Sequence, residues 1–157
     1  MGVFEKIEGF FLGNELTFTD SYFGEITSER IKKGKKKYNW YVDDYLIPNK
    51  ENETTSIILQ GDSKTPDKEH IEILKQILNN LDFLFDRLNQ ALKDQNEGKE
   101  KKVVQNWLEE YYFMGINSLH NEKGFSFYLE PFSEENSYPK DVSFDYVDGE
   151  IKDLDFQ

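Results

Sequence analysis

Carboxylates are concentrated in the last stretch of this 157-residue chain, SFDYVDGEIKDLDFQ. It carries Asp145, Asp148, Glu150, Asp153 and Asp155 against a single Lys152. Clustered carboxylates support three kinds of chemistry. Two acids facing each other across a bond can hydrolyse it, as in glycosidases. Several acids around one divalent ion can hold it. Acids spread over a surface can steer and dock a basic partner. The spacing decides against calcium, because Asp148-Gly149-Glu150 has the loop glycine without the preceding ligands. The carboxylate pair is not diagnostic, because an acidic chain offers many such pairs by chance. A basic docking partner is left as the reading with most content, against an ordinary solvated surface.

Other chemistry is scarce. His70 and His120 stand alone in sequence, with no His-Glu-x-x-His spacing. The absence of cysteine excludes disulfides, thiolate nucleophiles and cysteine-ligated zinc. There is no Gly-x-Ser-x-Gly elbow. Gly61-Asp62-Ser63-Lys64-Thr65 only echoes a phosphate loop, since its first glycine is missing and Pro66 follows. The run KKGKKK around Gly34 lies in a segment, Glu29–Lys37, of net charge +5. With no wider basic surface around it, it reads as a solubilising loop rather than a nucleic-acid contact.

The net charge of −12 opposes binding to nucleic acid and to anionic lipid. No apolar run approaches the roughly 20 residues that span a bilayer. The first residues, MGVFEKIEGFFLGNE, lack the pattern of a signal peptide, so a soluble cytoplasmic protein is expected. Neither cofactor nor metal is expected, and no membrane or nucleic-acid partner.

The elements that must position these residues follow from periodicity. ELTFTD, YFGEITSER, KYNWYVDDYLIP and ETTSIILQG read as strands of an antiparallel meander. From Thr65-Pro66-Asp67 the period changes. Ile71, Leu74, Leu78, Leu81, Phe85, Leu88 and Leu92 recur at alternating separations of three and four. This predicts one helix from about Pro66 to Asp94, roughly 43 Å long at 1.5 Å per residue, capped by Thr65. NEGKEK ends it, and a second helix is expected from about Lys101 to Glu110, with Val103, Val104, Trp107 and Leu108 inward.

YYFMGINSLH and GFSFYLEPF then suit a hairpin, as do DVSFDYV and EIKDLDF around Asp148-Gly149. Simple alternation puts Asp145 opposite the Val142–Phe144–Tyr146 face. It also puts Asp153 and Asp155 with Ile151, and Lys152 with Leu154 and Phe156. The whole predicts a single α+β domain over 1–157. Its mostly antiparallel sheet carries one long helix and one shorter helix on one face.

FTDSYFGEI, YNWYVDDYLIP, the long helical run and Val142-Ser143-Phe144-Asp145-Tyr146-Val147-Asp148-Gly149-Glu150-Ile151 together resemble small uncharacterised bacterial domains. Many of these look like immunity proteins, made beside a secreted toxin and inhibiting it. The resemblance implies a bacterial, non-catalytic toxin inhibitor that occludes the basic surface of a cognate toxin domain, a nuclease being one such toxin. The expected docking residues are Asp145, Asp148, Glu150, Asp153 and Asp155, with Glu134 and Glu135 from the preceding loop and Tyr138 or Tyr146 as aromatic anchor. The alternatives are a carboxylate-dependent hydrolase, and a scaffold or peptide-binding module that uses a sheet edge.

Overall fold

The computed structural model describes residues 13–32, 34–47, 53–95, 104–120, 122–133 and 139–156. Eight strands form one sheet in sequence order. They are β1 (Thr17–Asp20), β2 (Gly24–Ser28), β3 (Tyr38–Tyr45), β4 (Thr55–Gly61), β5 (Tyr111–Ser118), β6 (Gly124–Pro131), β7 (Val142–Val147) and β8 (Glu150–Phe156). Every neighbouring pair is antiparallel except β4 and β5, which are parallel and joined through the helices. A parallel pair needs such a crossover, because a tight turn cannot return the chain to the same direction.

The helices among the described residues are α1 (Lys68–Leu78), α2 (Leu81–Gln95) and the short α3 (Trp107–Glu110). The α+β class and the mostly antiparallel sheet are as the sequence predicts. The single long helix is not. It breaks at Asn79 and Asn80, where the Asn80 amide reaches back to Ile77 rather than continuing the α-helical ladder. Two consecutive asparagines favour this, since their short amides compete with the backbone. The Tyr22 hydroxyl donates to the Asn79 side chain at 3.2 Å. The elbow also lets α1 lie over β4 and β6 while α2 reaches β8. A straight 43 Å rod could not follow a twisted sheet in this way.

The apolar stripe survives the break. All seven of its residues are buried, while Phe83, which the three-four repeat does not include, is exposed. The helix start also differs from expectation. Asp67, not Thr65, is the N-cap, and its carboxylate accepts from the Glu69 amide. Pro66 lies outside the helix, in an isolated bridge to Gly61. Gly61 is needed there, because a Cβ would meet the Thr65 carbonyl oxygen at 2.4 Å.

The helices cover one face of the sheet. Phe85 stacks on Trp107 and Phe113, and Phe127 stacks on Phe144. Trp107 lies deep in this core and donates its indole N–H to Asn89 at 3.2 Å. Among the described residues no helix packs on the opposite face.

Candidate functional site: the open sheet face and its acidic concavity

The last hairpin shows what its carboxylates are for, one position at a time. Asp148 and Gly149 have φ of 53° and 84°, the two positive values that a type I′ turn requires. Asp153 also has positive φ, 47°. It sits where the β7–β8 register shifts between Ser143 and Asp145, so β8 carries a bulge. The described non-glycine residues with positive φ are Asp44, Asp148 and Asp153. Aspartate tolerates this conformation better than most residues. Local backbone geometry thus accounts for Asp148 and Asp153 without any partner.

The bulge overturns the predicted facing of β8. Strict alternation fails because one extra residue resets the parity. Ile151 pairs with Tyr146 and Phe156 with Val142, so both face the core, and Leu154 packs there too. Lys152 and Asp155 turn to the open face, opposite Asp145 and Ser143.

On that face, register aligns Tyr41, Ile58, Asn117, Ser126, Asp145 and Lys152 in one row across β3 to β8. Asp145 accepts from the Ser126 hydroxyl at 2.5 Å. The next row holds Gly115, Tyr128, Ser143 and Asp155. At the far end, Tyr112 opposes Glu130 and donates its hydroxyl to the Glu130 carboxylate at 2.5 Å.

A concavity of about 210 Å³ opens among Met114, Tyr128, Glu130, Asp141 and Asp155. Among the described residues no lysine or arginine lines it. Met114 is 46% exposed, and Phe132, beside Tyr112 at 5.4 Å, is 40% exposed. The Tyr112 phenol is pushed up to about 12, first by the Glu130 carboxylate, then by burial and by the negative charges of Glu53 and Asp141.

The structure therefore divides the predicted residues. Asp145 and Asp155 share the open face. Asp148 and Glu150 lie at the turn, about 17 Å along β7 from the Val142 end at 3.4 Å per residue. Tyr146 is buried, with its phenol raised by that burial, and it does not project as an anchor. Glu134, Glu135 and Tyr138 lie outside the described residues. Met114, Glu130 and Asp141 were not singled out in the sequence. Met114 follows the buried Phe113 in an ordinary strand, and only the pairing of β5 to β8 gathers it with Glu130 and Asp141.

The site offers no metal centre of the usual kind: among the described residues no three His, Asp or Glu side chains converge on one ion. The β8 edge is bulged at Asp153 and charged at Lys152, which discourages strand addition there. Among the described residues no helix is long and apolar enough to cross a membrane. Comparison with family models, with curated proteins and with solved structures gives no match for this chain.

Proposed function

We propose that this chain is a non-catalytic acidic domain that binds and inhibits a basic protein, in the manner of an immunity protein blocking a toxin. The observation that carries the reading is the concavity on the open face, where exposed Met114 and half-buried Tyr128 are ringed by Glu130, Asp141 and Asp155, with no cation among the described residues. Such apolar and aromatic groups supply a dehydrated centre, and the rim supplies charge complementarity to lysine or arginine.

The plan area of the open face is of the same order as one side of an interface, and somewhat smaller. Eight strands about 4.8 Å apart, each about 17 Å long, give a plan area on the order of 600 Å². A standard interface buries roughly 800 Å² per partner. Inhibition by occlusion needs no reacting group, only coverage of the partner's basic cleft. The net charge of −12 would accelerate the encounter in a salt-dependent way.

The test uses the basic toxin domain whose gene this reading requires to lie beside that of the chain. In one variant Glu130→Gln, Asp141→Asn and Asp155→Asn are combined. In another, Asp148→Asn and Glu150→Gln alter only the hairpin turn. Stopped-flow association should slow about tenfold or more for the first and show a flatter salt dependence, while the second stays near wild type. Slowing confined to the turn variant would move the interface to the hairpin tip. Wild-type rates in both would reject a charge-steered inhibitor.

A further inference from the structure

The basic loop and the two histidines are not absorbed by the open sheet face, and they meet elsewhere. A second cavity, about 350 Å³, lies where β4 and β5, the parallel pair, deliver their carboxyl ends. The Gln60 amide donates to the Ser118 hydroxyl at 2.8 Å, which ties these two ends together.

Residues distant in sequence line it. Lys36 and Lys37 come from the β2–β3 loop, Lys68 from the first turn of α1, and His120 from the β5–β6 loop. Lys37 Nζ donates to the His120 carbonyl at 3.1 Å, which brings the basic loop onto the cavity. Arg30, Lys35, Lys75 and Lys123 each lie within ion-pair distance of a carboxylate. Among the described residues Lys36, Lys37 and Lys68 make no such pair.

The floor is polar and built. Gln60 is only 8% exposed, yet its side-chain amide lines the cavity and touches the His120 ring. His70 is fixed beside it, its Nε2 on the Glu122 carbonyl at 3.3 Å and its ring edge-on to Phe125. Its Nδ1 is buried without a hydrogen-bond partner, 3.7 Å from Asp67. The two carboxylates in the wall are already engaged. Asp62 accepts from the Lys64 and Thr65 amides, and Asp67 from the Glu69 amide.

We infer that this cavity binds a phosphate group, either as free phosphate or as a small phosphomonoester. Three lysines without carboxylate partners, converging from two elements on a hydrogen-bonding floor, complement a compact multivalent oxyanion. In a chain so acidic, three cations gathered at one cavity are not accounted for by solubility. This inference does not depend on the inhibitor reading, because the cavity and the acidic concavity share none of the described residues.

The experiment is an NMR titration of the ¹⁵N-labelled full chain with sodium phosphate, against sodium chloride at matched ionic strength. Saturable shifts are expected at the Gln60 side-chain amide, the Thr65 amide and the His120 ring. The double variant Lys36→Gln/Lys68→Gln should bind at least about fivefold more weakly, since charged hydrogen bonds are lost, while retaining the wild-type melting profile. Lys140→Gln, outside the cavity, should bind as wild type. Adenosine 5′-monophosphate serves as the second probe. Tighter binding than phosphate assigns a monoester, and equal binding assigns the free ion. Shifts that rise linearly without saturation, or equal weakening by Lys140→Gln, would overturn the site.

Discussion

Asp145 and Lys152 stand directly opposite each other across β7 and β8 on the open sheet face, and Asp153, in left-handed conformation, follows at once. That one residue directs Ile151, Leu154 and Phe156 to the core while Lys152 and Asp155 face outward. Asp153→Gly should therefore be tolerated or slightly stabilising, because glycine adopts the required φ of 47° without strain. Asp153→Val should cost about 1–2 kcal/mol, since a β-branched residue resists that conformation. Urea melts of the two variants check this. A valine variant as stable as the wild type would mean that the bulge is not fixed there.

Asp20 links the β1–β2 turn to α1. Its carboxylate accepts from the Tyr22 and Phe23 amides at 2.8 and 3.1 Å and pairs with Lys75 at 2.9 Å. Burial alone would raise its pKa, but the Lys75 and backbone contacts outweigh it and the net shift is downward. A depressed folded-state pKa gives stability that is present above the unfolded value, about 3.9, and lost as pH falls through the folded value. Asp20→Asn should therefore be less stable than wild type at pH 7. The difference should shrink below about pH 4 and vanish once the wild-type carboxyl is protonated. A stability gap that stays constant from pH 7 to pH 2 would show that the ion pair contributes nothing.

Leu88 and Phe83 lie in one helix, yet Leu88 is fully buried and Phe83 is 42% exposed, under the Arg87 guanidinium at 5.1 Å. Leu88→Ala should cost about 2–5 kcal/mol through lost transfer energy and the cavity left behind. Phe83→Ala should cost about 1 kcal/mol or less, mostly the cation–π contact. Reversible thermal unfolding separates them. Similar losses for the two would contradict the way α2 is packed.

The sequence by itself determined the elements whose signals are local. The three-four spacing from Ile71 to Leu92 marked a helical face that stays buried, and Asp148-Gly149 marked the turn. These survive because a helix or a two-residue hairpin is closed by bonds between near neighbours.

What the tertiary structure decided is everything set by long-range pairing. The elbow at Asn79–Asn80 depends on the twist of a sheet whose strands lie far away in sequence. The direction of every side chain in β8 depends on one register shift, and a side-chain period of two makes such a shift all-or-none. Met114, Glu130, Asp141 and Asp155 become one acidic concavity only when β5 to β8 pair. His120 and the basic loop meet only because the parallel β4 and β5 end side by side. Composition could announce an acidic chain. Only the register could say which of its carboxylates share a surface and which are spent on turning the backbone.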